Sequence, residues 1–107
     1  MSLDLRIHED ALAELLDAIE WYDQGEQGRG ARFRGDVFRV IDRCLDWPES
    51  GPIVLAPDST PDIVYRHAKV PHSHYRLIYV VDERVFLVVA VAHERRLPRY
   101  WSERRQG

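Results

Sequence analysis

Cysteine is almost absent from this chain. One thiol, Cys44, cannot close an internal disulfide, and no Cys-x-x-Cys or mixed Cys/His spacing offers a structural metal site. A reducing cytoplasm is therefore the expected setting, with no metal and no cofactor. The opening MSLDLRIHED lacks a basic segment followed by an apolar one, and no run approaches the length of a membrane span, so neither secretion nor insertion is expected. Repeats and low-complexity tracts are also missing. The glycines at 25, 28 and 30 do not make a phosphate loop, because no Lys-Ser or Lys-Thr follows and no strand precedes them. With 107 residues, 45% hydrophobic and 31% charged, the composition fits one globular domain over residues 1–107 and argues against disorder.

Charge is distributed unevenly. Residues 1–62 carry 6 arginines against 14 acids, a balance of −8, while residues 63–107 carry 9 cations against 4 acids, a balance of +5. Four of the five histidines also lie in the second part. An acidic half beside a basic one points to a polyanion or an acidic partner for the basic side, or to a dipolar surface with no dedicated ligand.

In chain order, Leu3, Leu5 and Ile7 alternate with Asp4 and Arg6 and predict a short half-buried strand. Glu9 and Asp10 favour a helix N-terminus, and Leu12, Leu15, Leu16, Ile19 and Tyr22 form an apolar stripe at helical spacing, predicting a helix of about four turns. Its opposite face, with Glu14, Asp17 and Glu20, reads as solvated. The glycines then act as a connector to a second helix from Ala31, striped by Phe33, Val37, Val40, Ile41, Cys44 and Leu45 and ending at Trp47 before Pro48. Trp21, Tyr22, Phe33 and Phe38 fit core or helix-pair packing. Glu49 to Asp62, with Gly51 and prolines 52, 57 and 61, predicts an ordered or semi-ordered loop.

Three runs, IVYRHAKV, YRLIYVV and RVFLVVAVA, are separated by PHSH and DE, the pattern of an antiparallel meander. If Pro71 to His74 form the first hairpin loop, Lys69 opposes Arg76 and His67 shares their face. Directly opposed cations destabilise a sheet unless an anion lies between them, which marks a candidate site. A two-residue turn at Asp82 and Glu83 would add Val91, His93 and Arg95 to that face, subject to register. Pro98 stops the last strand, and Trp101 to Gly107 either begin a short helix or fray. The expected fold is α+β, in the order β-α-α-β-β-β, an antiparallel sheet with a two-helix hairpin on one face. Strands apolar on nearly both faces imply that something else covers the other face.

That order, together with ALAELLDAIEWYDQ before a Gly-rich joint, DWPES closing the second helix, HYRLIYVVD, and VVAVAHERRLPRYW, resembles the RelE/ParE superfamily of bacterial type II toxins over residues 3–101. The resemblance implies a small toxin neutralised by a cognate antitoxin. RelE-like members cut messenger RNA on the ribosome, whereas ParE-like members poison DNA gyrase and are not nucleases. The basic pair of a RelE-like second strand falls on His67 and Lys69, the arginine of the YRL strand on Arg76, and the arginine after the last strand on Arg95. The tail tyrosine falls on Trp101, with Tyr100 beside it. The helix text and the HERRLPRYW ending stand closer to ParE-like and plasmid-stabilisation members.

Three functions follow from the residues and the resemblance. A metal-independent endoribonuclease would use His67 as base, Lys69, Arg76 and Arg95 on the phosphate, and Tyr100 as acid or stacking platform. A gyrase-directed binding toxin would need no catalytic group, and Arg66, His93, Arg96, Arg99 and Trp101 would be its target or nucleic-acid contacts. A silent member would keep only antitoxin binding. Against all three stands a structural reading, in which Arg76 bridges to Asp82 or Glu94 and His67 and His93 are hydrogen-bonded sheet residues. The ParE-like text, the acidic net charge and the imperfect tail match favour gyrase over the ribosome.

Overall fold

A computed structural model describes residues 3–96 and 98–104. Its element order is β1 (Asp4–Ile7), α1 (Glu9–Gly25), α2 (Arg29–Asp46), β2 (Ile53–Val54), β3 (Tyr65–Lys69), β4 (Tyr75–Asp82) and β5 (Val85–His93). The five strands form one sheet in the order β1-β5-β4-β3-β2. The expected α+β class and order hold, with two additions. β1 runs parallel to β5, so the sheet is mixed, and the Pro-rich loop contributes the extra edge strand β2.

Helix α1 begins at His8, whose ring Nδ1 accepts from the Asp10 amide at 3.0 Å. Its buried stripe is Ala11, Leu15, Ala18 and Tyr22, while Leu12 and Leu16 are exposed. The helix is thus rotated from the leucine stripe expected of it, because it packs against β5 through small side chains that permit close approach. Trp21, expected in core or helix-pair packing, is 63% exposed.

The glycine connector works through two specific demands. Gly28 has φ +93°, a left-handed conformation that glycine adopts without steric cost. Lacking a side chain, it cannot cap α2. Asp23 of α1 does so instead, its Oδ1 accepting from the amides of Gly28 at 3.2 Å and Gly30 at 2.8 Å. Gly30 sits where the helices meet, and a Cβ there would collide with the Ile19 carbonyl and the Asp23 carboxylate.

The helix hairpin buries one sheet face around Phe33, Val37, Ile41, Leu77, Tyr79, Phe86 and Val88. The other face is not bare. A second cluster of Tyr65, Ile78, Val80, Val89, Ala90, Ala92 and Trp101 is packed by Val54, Ala56, Ile63 and Tyr100, so the loop and the tail supply much of the cover expected from a partner. Trp101 is 3% exposed and lies 4.9 Å from Tyr65, ring centre to ring centre. Turns hold Arg99 to Arg104, with Ser102 donating to the Arg99 carbonyl and Arg104 to that of Trp101. The expected helix or frayed end at 105–107 lies outside the described residues.

Register decides what each face displays. Lys69 opposes Arg76 and His67 opposes Ile78, as the four-residue hairpin loop requires. In the second hairpin Asp82 opposes Val85, so the turn is Glu83–Arg84, two residues on from the pairing expected, and faces are unchanged. The pairing then slips, from Tyr79 opposite Val88 to Ile78 opposite Ala90. Val89 is an unpaired bulge residue, and every later side chain of β5 changes face.

Gly30→Ala is expected to destabilise the domain by about 1–3 kcal/mol, since the helices must separate to admit the methyl group. Urea denaturation should show a lower midpoint with an unchanged slope.

Candidate functional site

The far face of β3 and β4 carries His67, Lys69 and Arg76 together, as the strand alternation predicts. His93 does not join them. The Val89 bulge pairs Arg76 with Ala92 and leaves His93 opposite Tyr75, its ring edge-on to that tyrosine at 5.0 Å. Arg95 lies past the strand end, exposed, its amide donating to His93 Nδ1 at 3.1 Å. The predicted five-residue cluster is therefore three residues on the face and two at its end.

Within the three, the side chains have different commitments. Lys69 is exposed, and its ammonium donates to the Ser73 carbonyl across the hairpin end. His67 is half-buried, and burial first and the Arg76 guanidinium second hold its ring below the ordinary value of 6.5. It is neutral at pH 7. Arg76 has no hydrogen-bond or carboxylate partner among the described residues. Glu94, one of the acids considered for it, pairs with His74 Nδ1 at 2.9 Å.

Tyr100 is engaged elsewhere. Its hydroxyl donates to Glu14 Oε2 at 2.6 Å, while the guanidiniums of Arg96 and Arg104 lie 4.0 and 5.0 Å from the ring centre. Burial and the adjacent Glu14 carboxylate push the phenol far above its usual range. The Glu14 carboxylate also accepts from the Val91 amide at 3.0 Å and from Arg104 at 2.9 Å, and Arg104 in turn donates to the Val89 carbonyl at 3.0 Å. β1 covers β5 only as far as Val88, so these two side chains satisfy edge groups that would otherwise face solvent.

Glu14 is the residue sequence reasoning missed, read there as part of a solvated acidic stripe. The signal lay in its neighbours. Ala11 and Ala18, at i−3 and i+4, mark a helix face approached closely by another element.

The remaining candidates divide between the faces. Arg66 points to the helix side and donates to the Glu49 and Gly51 carbonyls at 3.1 and 2.8 Å, holding the loop after α2. Arg96, Arg99, Tyr100 and Trp101 line one cleft of about 240 Å³ with Arg76, bordered by His93 at the end of β5. His67 and Lys69 do not line it.

A helix hairpin on one face of an open sheet whose other face bears a basic set and a folded-back tail defines the RelE/ParE class of small toxins. A family model described as the ParE toxin of the type II toxin-antitoxin system, parDE, matches residues 5–98, and the chain belongs to that family. A search of curated proteins finds no match. Among the described residues no helix is long and apolar enough to cross a membrane.

Two outcomes follow from these contacts. Glu14→Ala removes the acceptor of the Val91 amide and the Tyr100 hydroxyl and the nearer carboxylate of Arg104, in a pair whose side chains are each 15% exposed, and should cost about 1–3 kcal/mol and speed tryptic cutting at Arg99. Because the His67 pKa is lowered on folding, protonation favours the unfolded chain. Its contribution to stability is present above pH 6.5 and lost as pH falls through the folded value. An NMR titration should place its midpoint below 6.5, and Arg76→Ala should return only part of the shift, since burial is the larger cause.

Proposed function

We propose that this toxin arrests growth by binding DNA gyrase, without a nucleolytic step, and that a cognate antitoxin neutralises it in the cytoplasm. The observation that supports a binding rather than a cutting toxin is the commitment of Tyr100. Cleavage through a ribose 2′-hydroxyl calls for a base, cations on the phosphorane and an acid at the leaving oxygen. The only tyrosine of the tail donates a hydrogen bond to Glu14 and has two guanidiniums near its ring, with its pKa raised, which suits a structural anchor better than a proton donor. Lys69 is held at the hairpin end, and Arg95 lies beyond the strand. Membership of the ParE family supports gyrase as the target.

The alternative, a ribosome-dependent messenger-RNA endonuclease, draws on a different observation. His67 is kept neutral beside Arg76, as a general base next to a phosphate ligand would be. A member that only binds antitoxin is the third outcome.

Induction in cells separates the three. We expect double-strand DNA breaks and an SOS response, both unaffected by His67→Gln and relieved by co-expression of the neighbouring antitoxin reading frame. Ribosome-associated transcripts cut within minutes, and spared in folded His67→Gln, would replace gyrase with messenger RNA as the target. Unimpaired growth would leave antitoxin binding alone.

A further inference from the structure

The cleft between β4, β5 and the tail is predominantly basic. Arg76, Arg96 and Arg99 line it, over an apolar floor of Val54, Ile78 and Ala92. Three arginines elsewhere have an acid or carbonyls as partners. Arg39 has Asp36, Arg104 has Glu14, and Arg66 has two loop carbonyls. In the cleft, Arg99 uses Nε on the Leu55 carbonyl at 2.6 Å, and the Arg96 guanidinium lies 4.0 Å from the centre of the Tyr100 ring. Among the described residues no carboxylate comes within ion-pair distance of any of the three. Glu94, the one acid on the lining, is engaged with His74.

Three guanidiniums around an apolar floor, with no carboxylate paired to them, repel one another, and an entering oxyanion relieves that repulsion while accepting paired N–H bonds. We propose that this cleft binds the carboxylate side chain of an acidic peptide segment carried by a protein partner. A carboxylate fits better than a nucleic-acid phosphate for two reasons. Sequence-tolerant nucleic-acid binding uses aromatic faces on which bases stack, and here Trp101 is buried against Tyr65 while Tyr100 is covered by Arg96 and Arg104. It also uses a basic track along the backbone, whereas this site is a single cleft of about 240 Å³ on a chain of net charge −3. The floor suits the methylenes of a glutamate. Because the anchored residues Tyr100 and Trp101 form one wall, the site exists only while the tail is docked. The inference stands on the cleft and is independent of which cellular target the toxin attacks.

The test is a titration of the ¹⁵N-labelled full chain with a hexaglutamate peptide and, separately, with a single-stranded hexanucleotide, read at the arginine Nε–H signals and the Ile78 and Ala92 amides. The peptide should give saturable shifts at Arg76, Arg96, Arg99 and Ala92. Arg76→Gln and Arg99→Gln should each weaken binding about tenfold, with Arg84→Gln, on the remote hairpin turn, leaving it unchanged. Arg76→Lys keeps the charge without the fork and should fall between. If a glutamine variant loses its spectral dispersion, Arg96→Gln carries the same expectation. Peptide shifts scattered over the surface, affinity indifferent to all three arginines, or tighter binding of the oligonucleotide at these same signals would each overturn the proposal.

Discussion

One carboxylate joins three parts of this molecule. Glu14 leaves α1 and takes hydrogen bonds from the β5 backbone at Val91, from the Tyr100 hydroxyl and from Arg104. A charge-assisted bond formed away from water is stronger than its solvent-exposed counterpart, and removing its centre leaves several groups unpaired at once. The sheet edge, the inner helix and the tail are therefore coupled. Trp101 against Tyr65 provides the apolar half of the same attachment. Docked in this way, the tail closes the second core and completes the basic cleft, so features far apart in sequence depend on one side chain.

The second constraint is the single extra residue at Val89. Its bulge lets Val89 and Ala90 both join the far-face cluster, while Val91 returns to the helix-face core. The same slip sends His93 to Tyr75 and away from Arg76. What had been one basic face becomes a strand-borne set of His67, Lys69 and Arg76 and a tail-borne set of Arg96 and Arg99, meeting only at Arg76. The arrangement suits recognition, since the guanidiniums that meet are permanently charged and His67 lies outside the cleft.

The asymmetry of charge also acquires a location. The acidic charge of the first half lies mostly on α1, which has six carboxylates and no cation, whereas α2 carries five arginines against three acids; the basic half supplies the far face and the tail. Two of its acids face inward: Asp23 caps α2, and Glu14 anchors the tail.

By itself the sequence determined the element order, the helix pair with its glycine joint, the first hairpin register and the shared face of His67, Lys69 and Arg76. Each depends on local chemistry: period 3.6 or 2, a proline stop, a φ that glycine tolerates, a loop length that fixes pairing. Tertiary structure alone decided the rest. The direction of β1, the rotation of α1 that exposes Leu12 and Leu16 and half-buries Glu14, the bulge at Val89 and the burial of Trp101 all depend on contacts between residues distant along the chain. Their energy comes from filling one shared volume and pairing its polar groups. No periodicity along the sequence encodes which carboxylate will be within 3 Å of which edge amide.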